Sequence, residues 1–251
     1  MSFLVAAVVF ACSFGGAILG MILRSILPDA HLSSESKDVV KVATGLVATM
    51  AALVLGLLVA SAKSAFDSQK SGFHEMATNL MLLDRTLAHY GPDAAGTRKT
   101  LRDTTAAALD HLWPPEGHTS GFGDHKLTTR GEVLYNSIRE LNPQDDEHRA
   151  MQAEALTIGA SLARTRWQLS QQDDNSNSKP FMIVLIFWLS VIFLSFGLFS
   201  PANPTTITAL LVCALSVSGA ILLIVDLDQP FEGLIRVSDK PLRYALEQLG
   251  Q

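Results

Sequence analysis

The sequence predicts an all-α, polytopic membrane protein with four transmembrane helices and a helical cytoplasmic region between helices 2 and 3. Three observations carry this reading. Residues 181–199 and 205–225 form adjacent apolar runs with no charged side chain, joined only by Ser200-Pro201-Ala202-Asn203-Pro204. Residues 3–23 and 42–62 repeat the pattern near the N-terminus. At ~1.5 Å rise per residue such runs reach roughly 28–31 Å, the thickness of a bilayer's hydrocarbon core. Composition agrees: 48% of the 251 residues are hydrophobic and 17% charged, with a mean hydropathy of +0.27 concentrated in four blocks. The chain therefore divides into 1–62 (helices 1 and 2), 63–179 (cytoplasmic helices), 180–227 (a transmembrane hairpin of helices 3 and 4) and 228–251 (a cytoplasmic tail).

The first run lacks the positive start and the small-x-small site of a cleaved leader, so it reads as a span. Its Gly16 and Gly20 form a GxxxG pair, which lets another backbone approach closely in lipid. The polar loop 28–38 follows, where Ser33, Ser34 and Glu35 look like helix-starting chemistry and His31 reads as solvated. The second run sets small residues, Gly45, Thr49, Ala52, Gly56 and Ala60, along one stripe, with Val47, Met50, Val54, Leu57 and Leu58 opposite. The stripe has two readings, a packing seam inside the subunit or the lining of a narrow pathway on a symmetry axis.

Helical spacing continues past the span through Phe73, Ala77, Leu80, Leu83, Leu87 and Tyr90, until Gly91-Pro92 ends it. A helix opened by Asp93 runs to Leu112, with Leu101, Ala108, Leu109 and Leu112 inward. Residues 113–125, WPPEGHTSGFGDH, are a loop. Two more helices cover 127–141 and 143–171, the second with Asp145, Asp146 and Glu147 in its first turn. Residues 171–178 are a polar break before the hairpin. Cys12 and Cys213 lie inside spans and read as small apolar core residues.

Several function classes are excluded by what is missing. Residues 63–179 carry 13 Lys/Arg against 16 Asp/Glu and no basic patch, so no nucleic acid is expected. No span holds an Asp, Glu, Lys, Arg or His near its middle, as proton-coupled transport and intramembrane hydrolysis usually require. Asp226 and Asp228 come only at the exit of the last span, where they can meet water. No GxSxG, GxxxxGK[ST], GxGxxG or HExxH is present, so no enzyme, metal or cofactor is predicted. Thr119-Ser120-Gly121-Phe122-Gly123-Asp124 imitates a potassium filter, but it follows Trp113-Pro114-Pro115 instead of an apolar pore helix. His118, Asp124 and His125 match no metal-ligand spacing. Eight Lys/Arg near the membrane on the side of residues 63–179, against three on the other, place that region and both termini in the cytoplasm.

Three segments carry a resemblance: LVLGLLVASAKSAFD (53–67), LDRTLAHYGPDAA (83–95) and DLDQPFEGLIRVSDKPLRYAL (226–246). They resemble the bacterial DUF4239, or bestrophin-like, family of membrane proteins. Bestrophins are pentameric ion channels with four spans per subunit, a helical cytosolic region between spans 2 and 3, and a pore lined by span 2. The resemblance implies a homo-oligomer, with a pentamer favoured, in the lipid bilayer, passing inorganic ions along a stripe of Gly45, Thr49, Ala52 and Gly56. It also implies a membrane-exit corner at Asp226, Asp228, Pro230, Phe231 and Gly233, where bestrophins carry a Pro-Phe-Gly segment followed by acidic residues. That acidic run is absent here, since only Asp239 follows before Pro241, so calcium is not expected. Pro230 would end the helix, Phe231 bury its ring and Gly233 permit the turn. The alternative function is a non-conducting membrane scaffold whose cytoplasmic helices bind a partner.

Overall fold

A computed structural model describes residues 2–28, 33–114, 125–174, 178–229 and 234–251. Every regular element among them is helical: α1 (Ser2–Ile26), α2 (Ser34–Tyr90), a 3₁₀ turn (Pro92–Ala94), α3 (Ala95–Leu112), α4 (His125–Arg139), α5 (Asp146–Asp174), α6 (Ser178–Phe199), α7 (Pro204–Leu227) and α8 (Lys240–Gln248). Four of these, α1, α2, α6 and α7, are long and apolar enough to cross a membrane. The helices fall into two compact units. One comprises Met1–Ser64 with Ser176–Gln229, the other Ala65–Asn175 with Pro230–Gln251.

In the first unit α1 packs along α6 and α7. Glycine sets the approach. A Cβ on Gly16 would lie 2.9 Å from the carbonyl oxygen of Ser190, and one on Gly20 would collide with that of Leu194. A Cβ on Gly197 of α6 would strike the carbonyl of Ala17. The GxxxG pair thus seats α1 on α6 within one subunit. Val9, Ala51, Leu58, Leu185, Leu189, Ile192, Ile221 and Ile224 form the core. The hairpin turn is capped by Asn203, whose side chain accepts from the Thr206 N–H at 2.8 Å, with Pro204 at the first helical position. Cys12 and Cys213 are exposed on the outside of the protomer, not in its core. An apolar span is as hydrophobic outward as inward, so composition alone could not tell the two faces apart.

α2 starts where Ser33 Oγ accepts from the Ser36 N–H at 3.3 Å, eight residues before the apolar run. Its 57 residues continue through the first unit into the second and stop at Gly91, whose φ of +99° suits a residue without Cβ. In the second unit Phe73, Ala77, Leu80, Leu83, Leu87 and Tyr90 are buried, as are Leu101, Leu109 and Leu112 of α3. Trp113 packs edge-on against Phe73 and donates its indole N–H to the Val237 carbonyl at 3.2 Å.

Several boundaries differ from the sequence reading, and α4 spans His125–Arg139 where 127–141 was expected. α3 begins at Ala95, because Pro92 and Asp93 make a 3₁₀ turn first. α5 begins at Asp146, because the Asp145 carboxylate caps it, accepting from the His148 N–H at 2.8 Å. The polar break is shorter than expected. α5 runs to Asp174 and α6 starts at Ser178, since no Gly or Pro interrupts Gln171–Asp174 to stop helix propagation. The segment read as a tail contains α8, with Leu242 and Ala245 buried.

Candidate functional site

The small stripe lies on the surface of α2. Gly45, Thr49, Ala52 and Gly56 are all exposed, and a Cβ on either glycine would meet nothing within 4 Å. The line that packs within the protomer is instead Thr44, Ala51, Leu58 and Ala62, at steps of 7, 7 and 4. At 100° per residue this line sits about 120° round the helix from the stripe. The stripe is therefore no packing seam inside the subunit. A third line, Leu46, Leu53 and Leu57, is exposed and aliphatic. One helix thus presents a packed face, a smooth narrow face and a bulky apolar face. Thr49 Oγ1 donates to the Gly45 carbonyl at 2.9 Å, so its lone pairs are what the stripe offers outward. Val54, read from sequence as opposite the stripe, is half-buried against the core.

At the membrane exit the two aspartates part company. Asp226 is 1% exposed, whereas Asp228 lies at the surface. The expectation that both meet water is corrected for Asp226. α7 extends to Leu227, which keeps residue 226 on the helix and two residues beyond the buried Ile224. Gln229 accepts a hydrogen bond from Ser2 Oγ at 3.4 Å, tying the exit of α7 to the start of α1. Pro230, Phe231 and Gly233, the rest of the corner, lie outside the described residues, as do residues 115–124 with the filter-like sequence and His118 and Asp124. Among the described residues no group of three His, Cys, Asp or Glu could hold a metal ion.

Sequence reasoning missed one polar constellation in the second unit. Asp84, buried on α2, receives two hydrogen bonds from Arg98 of α3, Nε to Oδ1 and Nη2 to Oδ2, both 2.8 Å. The Gly250 N–H also donates to Oδ2, at 3.2 Å, with Gly250 at φ +86°. Arg98 Nη2 reaches the Gln251 carbonyl and Arg102 Nη1 the Leu249 carbonyl. A carboxylate and two arginines thus clasp residues 249–251 against α2 and α3. Burial alone would raise the Asp84 pKa. The Arg98 hydrogen bonds, the Gly250 N–H and the charges of Arg98 and Arg85 outweigh it and hold the carboxyl below its ordinary value.

Comparison with known proteins decides the family. The Bestrophin-like domain model matches residues 9–242. The chain belongs to the Bestrophin-like family. No curated protein matches the sequence. Two crystal structures of single-substitution variants of a bacterial bestrophin homologue from Klebsiella pneumoniae share its fold. The first has a TM-score of 0.64 at 15% identity, covering 94% of this chain and 98% of that one. The second has a TM-score of 0.63 at 14% identity, covering 93% and 96%. A further crystal structure, described as a membrane protein, aligns with a TM-score of 0.63 at 14% identity over 94% and 98%. The four long apolar helices therefore belong to a bestrophin-like fold, and this family member is a membrane protein.

Proposed function

We propose that this Bestrophin-like protein is an oligomeric channel for passive ion flux, a pentamer in the bacterial inner membrane with residues 63–179 and both termini in the cytoplasm. The observation that carries the reading is the exposure of Gly45, Thr49, Ala52 and Gly56 on a helix already packed through another face. A surface so smooth, uncharged and free of intrasubunit contacts suits the wall of a narrow path. Family membership supports it. Such a path can gate by dewetting, and the Thr49 hydroxyl oxygen is one of the few polar contacts for a passing ion.

Bulk on the stripe tests the proposal. Ala52→Phe is expected to block ion flux from liposomes while oligomer mass stays unchanged. Leu57→Phe, on the exposed aliphatic line, is expected to leave flux within about twofold. A stripe that is only an intersubunit seam gives the opposite for Ala52→Phe, loss of the oligomer, because apposed backbones cannot absorb a ring. An intact oligomer with no flux in any ion gradient sinks the channel and leaves a membrane scaffold.

A further inference from the structure

The second unit has a half-open cavity of about 580 Å³ among α2, α3, α4, α5 and α8, within the size range of small-molecule sites. Met76, Leu80, Leu112, Leu134, Ile138 and Leu242 give it an apolar wall, and all but Met76 are buried. Two glycines leave that wall bare. A Cβ on Gly131 would meet nothing within 4 Å, and one on Gly159 would only touch Tyr135 and Ile138 at 3.5 and 3.6 Å.

Arg166 of α5 breaks the apolar surface. Its Nη1 is buried and has no hydrogen-bond partner. Leaving a guanidinium donor dry and unpaired costs free energy, and a fold rarely keeps such a group without use. Glu132 lines the same cavity but is exposed and forms no ion pair with it. Burial pushes the Arg166 guanidinium below its ordinary value, and the Glu132 charge opposes the shift. One unsatisfied cation with a carboxylate nearby favours a single negative charge over a dianion such as phosphate. The remaining wall asks for an apolar body.

We propose that this cavity binds a small amphiphilic monoanion, a carboxylate on an aliphatic or aromatic body, with the carboxylate on Arg166. Arginine's planar fork matches a carboxylate, which would satisfy the idle donor. The binding reading stands on the cavity and the guanidinium, independently of conduction.

Full-length protein in lipid nanodiscs, titrated calorimetrically with 4-butylbenzoate and with the isosteric neutral 4-butylbenzamide, tests it. The acid is expected to bind once per subunit, about tenfold or more tighter than the amide. Arg166→Met should erase that preference and Arg166→Lys keep part of it. Without ligand, Arg166→Met should melt no lower than the parent protein, because a buried donor without a hydrogen bond has gone. Gly131→Leu should fill the cavity and abolish binding of both probes with oligomer mass unchanged. The proposal is overturned by equal affinity for acid and amide, by no binding at all, or by a preference that survives Arg166→Met. A lower melting point for Arg166→Met makes the guanidinium structural. Loss of the oligomer in Gly131→Leu makes a neighbouring copy the occupant.

Discussion

At the scale of single residues the Asp84–Arg98 pair is the most buried ion pair among the described residues. It is nearly buried, bidentate, and extended to the backbone of residues 249–251. Removing one partner of such a pair leaves the other charge without compensation, at a cost of about 3–5 kcal/mol. Asp84→Asn should therefore lower the melting temperature of the full-length protein by on the order of 10 °C. The pair also has a pH signature. The folded Asp84 pKa lies below its ordinary 3.8. Its contribution is complete above that value and is lost as pH falls through the lower folded value. Thermal scans between pH 6 and pH 2 should show an acid loss of stability that Asp84→Asn reduces; an unchanged acid slope would remove the claim. His148, half-buried beside Asp145, shifts the other way, its proton held by the carboxylate hydrogen bond 2.6 Å away. The Asp84–Arg98 clasp was not legible in the sequence. Arg98 follows Asp84 by 14 residues across a helix end, and Gly250 by 166, whereas periodicity reports only neighbours on one helix.

Elements were far more legible, because each spans enough residues to show a period or a length. Four spans, the hairpin turn and the long run of α2 to Gly91 follow from apolar length and from Gly-Pro and Pro-Ala-Asn-Pro punctuation. What escaped was short or capped by a side chain. α8 has only nine residues with Leu242 and Ala245 inward, too few to establish a period. The start of α5 moved because Asp145 caps it, where Pro143 had been read as its first turn. For the candidate site, the small stripe was visible as spacing, but spacing did not show that Thr44, Ala51, Leu58 and Ala62 take the packed face and leave the stripe exposed. Contact between spans is testable through glycine. Gly197→Ala puts a methyl group against the Ala17 carbonyl, whereas Gly219 of α7 faces open space. Gly197→Ala should destabilise by roughly 1–3 kcal/mol or more. Gly219→Ala should be neutral or stabilise by up to about 1 kcal/mol through helix propensity. Equal melting temperatures for the two variants would mean that α1 does not sit on α6 in this way.

The whole molecule raises the question of sides. In the first unit Val42, Leu53, Ile183 and Phe187 are all exposed, an apolar surface that only lipid or further apolar protein can solvate. Under the proposed topology, four crossings bring both termini to the same side as residues 63–179. Near the membrane that side carries Lys63, Lys70, Arg164, Arg166, Lys179, Arg236, Lys240 and Arg243, against Arg24, Lys37 and Lys41 on the other. Lysine and arginine bias orientation through the cost of moving them across the bilayer, so the richer side should remain cytoplasmic. Part of that contrast is weak, since Arg24 lies within α1 and Lys41 within α2, close to the apolar segments, and Lys41 already pairs with Asp38 at 4.0 Å. The prediction is therefore specific to the larger set. A reporter active only in the cytoplasm should work when fused after Gln251 or inserted near Gly121, and stay silent in the loop before Ser34. Changing Lys63 and Lys70 to Gln should weaken the bias, so that a minority of molecules shows signal before Ser34. Signal before Ser34 with silence near Gly121 in the parent protein would invert the orientation. It would also place the Arg166 cavity on the outer side, where a ligand would reach it without entering the cell.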